Sequence, residues 1–202
     1  MIIYIIFILL IISFIIYYHM SYSDYILCIP NFLSNIEYNK LINIIQNNNN
    51  IKYNNNGLLT KTLNDSVNDI FYSKNKLNNI SNILGNIVYK SNIPCEYRTY
   101  NISNSMKWHK DIQLYEKPQY ECVYTISNNS DSTTDYVDQW GFKRKLWTEP
   151  NSLIIFKSNG FYHGVNPVTK GKREIIKLIY TQTDKINYKN KIQYLHALNG
   201  NT

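Results

Sequence analysis

The sequence predicts an α+β protein, mainly β: a double-stranded β-helix, or jelly roll, with supporting N-terminal helices, preceded by an N-terminal transmembrane segment. Three observations carry this prediction. An uncharged apolar run extends from Met1 to Tyr18, two amphipathic stretches lie between Ser34 and Ile87, and about eight short β-branched and aromatic runs follow Pro94. The 202 residues suffice for one globular domain, and the 44% hydrophobic content supplies a core.

The first element is the run MIIYIIFILLIISFIIYY, residues 1–18. It approaches the roughly 20 apolar residues that cross a bilayer. No Lys or Arg precedes it and HMSYSDY is a poor cleavage site, so an uncleaved anchor is favoured over a signal peptide. This reading implies a single-pass membrane localisation, with the domain facing the endoplasmic reticulum lumen or a viral or host membrane. Orientation stays open, because Asp24 is the nearest flanking charge and no Lys appears before Lys40. In a lumen, Asn64, Asn79, Asn101 and Asn128 would head glycosylation sequons.

The helices come next. Ser34 and Glu37 have capping-box spacing, and Tyr38, Leu41, Ile42 and Ile45 recur on one face. Gln46 to Asn56 reads as an Asn-rich loop. Leu77, Ile80, Leu84 and Ile87 then recur about one helical turn apart, and both helices read as packing support. After Pro94, CEYRTYNIS, MKWHKD, ECVYTISN, LIIF and REIIKLIYT read as strands, with SNNSDSTTD and PNS as turns. The domain is bounded at 27–182, and 183–202 reads as a polar C-terminal tail.

Charge and cysteine content exclude several classes. The balance of 21 basic and 14 acidic residues gives +7, which raises a polyanion partner. Only Arg98, Arg144 and Arg173 are arginines, and the lysines are scattered among Asn, Ile and Tyr, as coding in an A/T-rich genome produces; nucleic acid is not the expected partner. Cys28, Cys95 and Cys122 are too few and too dispersed for a disulfide framework or a zinc ribbon.

The chemistry-bearing residues fall among the strands. His109 and Asp111 form H-x-D, and positions i and i+2 of a strand share a face. His163 follows 52 positions after Asp111, and two histidines with one carboxylate make a facial triad for Fe(II). Arg173 lies ten residues further, at the start of an apolar strand, where a guanidinium is costly to bury without an anion.

H-x-D, a distal His and a basic residue at +10 together resemble the 2-oxoglutarate/Fe(II) dioxygenase superfamily. The segment HGVNPVTKGKR is similar to its prolyl 4-hydroxylase branch, and the helix opening at Asn31 to Ile42 matches as well; the resemblance covers Leu27 to Gln182. It implies iron ligation by His109, Asp111 and His163, and pairing of Arg173 with the distal carboxylate of 2-oxoglutarate, where many prolyl hydroxylases use Lys. It also implies that Tyr100 lines the cofactor pocket. Thr134 falls at the position of the family's G-G-E-T threonine, with Thr133 as a rival because Asp131 and Ser132 replace the glycines.

By that resemblance, Fe(II), 2-oxoglutarate and O2, with ascorbate in addition, serve to hydroxylate a peptidyl, prolyl-like or small-molecule substrate, releasing succinate and CO2. Two alternatives stand beside it: a nucleic-acid alkylated-base demethylase of the same superfamily, and a non-catalytic metal-binding jelly roll. The demethylases usually carry a second Arg six residues past the first, whereas this chain has Ile179. Substrate choice is assigned to the loops Asn47 to Leu63 and Asp135 to Lys145. Trp108, Trp140 and Trp147 are read as core or pocket wall, and Cys122 as a buried strand residue.

Overall fold

A computed structural model describes residues 4–13, 26–47, 52–53, 59–63 and 65–199. The N-terminal prediction is corrected. Within the apolar run, residues 4–13 are described and helical (α1). No helix among the described residues is long and apolar enough to cross a membrane. The transmembrane segment, the single-pass localisation and the membrane partner derived from them are therefore not supported; the rest of residues 1–18 lies outside the described residues.

Helix α2, Asn35–Asn47, begins at the expected capping box. The Ser34 amide donates to Glu37 Oε2 (2.8 Å) and the Glu37 amide to Ser34 Oγ (3.3 Å), so two orphan donors of the helix start are met. Leu41 and Ile45 from the predicted stripe are buried. After the short α3, Asn68–Phe71, helix α4 covers Lys74–Leu84; Ser73 caps it and Gly85, at φ 65°, ends it in the left-handed conformation. Ile87 thus falls beyond the helix and is exposed rather than continuing the stripe.

Strand β1 is Leu27–Ile29, and the Asn-rich region contributes β2, Lys52–Tyr53, and β3, Leu59–Thr62. Tyr89–Lys90 is β4. Eight strands follow Pro94: β5 Glu96–Tyr100, β6 Met106–His109, β7 Tyr120–Asn128, β8 Thr134–Val137, β9 Lys143–Leu146, β10 Ser152–Lys157, β11 His163–Val165 and β12 Arg173–Thr181. They form two antiparallel sheets. The larger runs β1-β10-β7-β12-β5-β3-β2, with β4 also paired to β12; the smaller runs β6-β11-β8-β9.

Alternation assigns the two faces of the larger sheet. Tyr97, Tyr124, Leu153, Ile155, Ile176, Leu178 and Tyr180 join Leu41, Phe71, Ile80 and Leu84 in one buried cluster, so this face packs on the helices. The opposite parity of β12, with Arg173, Ile175, Lys177 and Ile179, faces the other way, where Tyr100, Val168 and Ile175 form a smaller cluster. Residues 183–202 include α5, Lys191–Leu198, whose Tyr194 is buried against Leu114, Tyr115 and Ile179. The three cysteines are free, and Cys122 is fully buried in β7.

Candidate metal centre

The smaller sheet brings the two histidines together by register. His163, first residue of β11, pairs directly with His109, last residue of β6. Gly164 makes this approach possible, because a Cβ there would lie 2.9 Å from the Met106 carbonyl oxygen and 3.3 Å from the Trp108 amide nitrogen. Asp111 does not continue the strand, as its i+2 spacing predicted; it lies just beyond β6. Its carboxylate still converges on the imidazoles, with Oδ1 3.7 Å from His109 Nε2 and Oδ2 3.4 Å from His163 Nε2. One ligand atom from each of the three residues lies within 4.8 Å of the others.

Backbone carbonyls set the tautomers. His109 Nδ1 is 2.9 Å from the Lys107 carbonyl oxygen and His163 Nδ1 is 3.0 Å from that of Phe161. A carbonyl only accepts, so each Nδ1 carries the proton and each Nε2 presents a lone pair toward Asp111. Phe156 stacks on His163 at 4.6 Å between ring centroids, covering one side of the imidazole.

Electrostatics separate the three groups. The Asp111 carboxylate beside it raises the His109 pKa by favouring the protonated ring, whereas burial lowers that of His163. Burial alone would raise the Asp111 pKa, but Lys177 and the two histidines hold it well below the usual carboxylate range. The donor set, two imidazoles and one ionised carboxylate, suits a divalent first-row metal.

Arg173, at the start of β12, is 1% exposed. Gly171, at φ 75° where a Cβ would collide with the Asn129 carbonyl, makes the turn that leads into it. Arg173 Nη2 donates to Thr134 Oγ1 (3.0 Å), while Nε and Nη1 have no partner among the described residues. Burial lowers the Arg173 pKa. Two unmet donors of a buried guanidinium fit an anionic ligand. Tyr100 lies directly opposite Arg173 in the β5–β12 register and is 1% exposed. Thr133 turns instead to the Asp135 carboxylate, so of the two threonines only Thr134 bonds to Arg173.

Sequence reasoning missed Lys177 and Glu121. Lys177 Nζ lies 3.2 Å from Asp111 Oδ1 and 3.3 Å from Glu121 Oε2. Both were visible as charges inside apolar strands, REIIKLIYT and ECVYTISN, with Lys177 at the same parity as Arg173. Trp140 and Trp147 are 51% and 45% exposed, so of the two expected roles, core or pocket wall, the core is excluded for both.

No family model matches the sequence, and no curated protein matches it. Solved structures do share the fold. A 2OG-Fe(II) oxygenase family oxidoreductase from Burkholderia pseudomallei superposes with a TM-score of 0.71 at 9% identity, covering 84% of this chain and 89% of that one. A Trichoplax adhaerens prolyl hydroxylase, in complex with a hypoxia inducible factor peptide fragment, gives 0.60 at 14%, covering 81% and 86%. HygX from Streptomyces hygroscopicus, with nickel, 2-oxoglutarate and hygromycin B bound, gives 0.61 at 9%, covering 82% and 86%. The chain therefore has the fold of the 2-oxoglutarate/Fe(II) oxygenases, the superfamily that its H-x-D…H motif resembles.

Proposed function

We propose that this protein is a 2-oxoglutarate- and Fe(II)-dependent oxygenase that hydroxylates a peptidyl, prolyl-like substrate and releases succinate and CO2. One observation carries the reading: the His109–Asp111–His163 cluster is accompanied by a buried guanidinium, Arg173, whose Nε and Nη1 lack partners among the described residues. His109 and His163 would hold the iron through Nε2 and Asp111 through a carboxylate oxygen. Bound Fe(II), 2-oxoglutarate and O2 would together supply the oxidising chemistry.

The remaining work belongs to the chain's own side chains. Arg173 fixes the far carboxylate of 2-oxoglutarate through its open donors, and Thr134 holds the guanidinium in place. Tyr100, opposite Arg173, lines the same pocket. Phe156 keeps water from one side of His163. The solved neighbours support a peptide or small-molecule substrate, since one holds a peptide fragment and another holds hygromycin B. The β8–β9 hairpin, with Trp140 and Phe142 exposed at its tip, is the candidate selectivity loop. The demethylase alternative is disfavoured because Ile179 sits in an apolar cluster with Leu114, Tyr115 and Tyr194.

The test is succinate formation from 2-oxoglutarate, Fe(II), O2 and ascorbate, screened against proline-rich peptides, lysine-containing peptides and alkylated oligonucleotides. Turnover with a proline-rich peptide is expected, and His163→Ala and Asp111→Ala should each abolish it while the fold persists. Full turnover in either variant would refute the metal assignment, and turnover only with oligonucleotides would replace the substrate class.

A further inference from the structure

We propose that Lys177 is the positioning residue for Asp111: its ammonium holds one carboxylate oxygen and leaves the other for the metal. The inference rests on the metal reading of His109, Asp111 and His163. Asp111 needs such a device because it lies past the end of β6, outside the ladder that fixes the two histidines. Lys177 supplies it from β12, the central neighbour of β7 and β5 in the larger sheet. Its Nζ donates to Asp111 Oδ1 at 3.2 Å, while Oδ2 faces His163 Nε2 at 3.4 Å.

The clamp is itself anchored. Glu121, 3% exposed on β7, takes the other side of the ammonium at 3.3 Å. Its Oε1 accepts from Gln119 Nε2 (3.0 Å). Gln119, fully buried, also donates to the Ile112 carbonyl (2.8 Å) and accepts from the Leu114 amide (3.0 Å). One network therefore grips both the side chain of Asp111 and the main chain that follows it. A buried carboxylate such as Glu121 is costly without a paired cation, and Lys177 is that cation. Hydrogen-bonded partners of this kind orient metal ligands, and their loss weakens metal binding by about 10–100-fold.

The test measures Mn(II) binding to the full chain by electron paramagnetic resonance, without turnover. Lys177→Met combined with Glu121→Gln removes one cation and one anion, so the charge around the cluster is conserved while Asp111 loses its clamp. Neutralising Glu121 together with its cation leaves no unpaired carboxylate on β7, so the double variant is less destabilised than Lys177→Met alone, and circular dichroism checks its fold before titration. Its Kd for Mn(II) should rise about 10–100-fold with an altered bound-Mn(II) spectrum, and Lys177→Arg should restore binding to within severalfold of wild type. Lys177→Gln with Glu121→Gln, one bond short of Asp111, carries the same prediction should the first pair not fold. Wild-type affinity and spectrum in a folded double variant would overturn the role of Lys177 alone. Absence of Mn(II) binding in wild type would overturn the metal reading, and the role of Lys177 with it.

Discussion

Replacing Arg173 by Met should stabilise the ligand-free protein and weaken its grip on 2-oxoglutarate at the same time. The guanidinium is 1% exposed, with one bond to Thr134 and two nitrogens unpartnered among the described residues. Each unmet buried donor costs about 1–3 kcal/mol, whereas the bond to Thr134 returns about 1.5–3 kcal/mol. Met fills similar volume without polar atoms, so the central values favour the variant by about 2 kcal/mol. For a chain of this size that shifts the melting temperature by on the order of 5 °C. Losing a charge-assisted contact of about 1.5–3 kcal/mol should weaken 2-oxoglutarate binding by roughly tenfold to more than a hundredfold. Arg173→Lys should keep part of the affinity as a point charge without the planar fork. Thermal unfolding without ligand and 2-oxoglutarate titration in the presence of Mn(II) measure the two effects. A Met variant that melts below wild type, or binds 2-oxoglutarate equally well, would refute the argument that Arg173 is held unsatisfied for an anion.

Gly164→Ala should separate β11 from β6, since its Cβ would meet the Met106 carbonyl oxygen at 2.9 Å; a metal affinity equal to wild type would show that the strands tolerate the shift. Glu174 should contribute to acid stability. Its carboxyl, although pushed up by burial, is held below the ordinary glutamate value by hydrogen bonds from Ser127, Tyr97 and Lys172. A depressed carboxylate pKa adds stability that is complete above the ordinary value of about 4.3 and is lost as pH falls through the folded one. Glu174→Gln should therefore lower stability at pH 7 by about 1–2 kcal/mol and flatten its decline below that value in pH-dependent unfolding; an unchanged acid limb would count against it.

The strand and helix patterns were local matters, and the sequence by itself determined them. The capping box at Ser34, the stripe through Leu41 and Ile45, and the alternation in REIIKLIYT each express a period that a single segment carries. H-x-D, the distal His163 and Arg173 were legible for a different reason: fixed spacing resembling a known superfamily, not anything their own segments impose. Ile87 was misread because an apolar residue does not say where a helix stops, and Gly85 ended α4 before it.

Tertiary structure alone decided how the candidate site is held. That His163 stands opposite His109 depends on strand register across 54 residues of chain. Which threonine bonds Arg173 depended on the side each takes at the start of β8, a one-residue difference that alternation cannot resolve at a strand end. Lys177 and Glu121 carried no motif, because their meaning arises only where β12 and β7 meet the segment after β6. Periodicity is written residue by residue along the chain, but a contact between distant strands exists only once the sheet has closed around it.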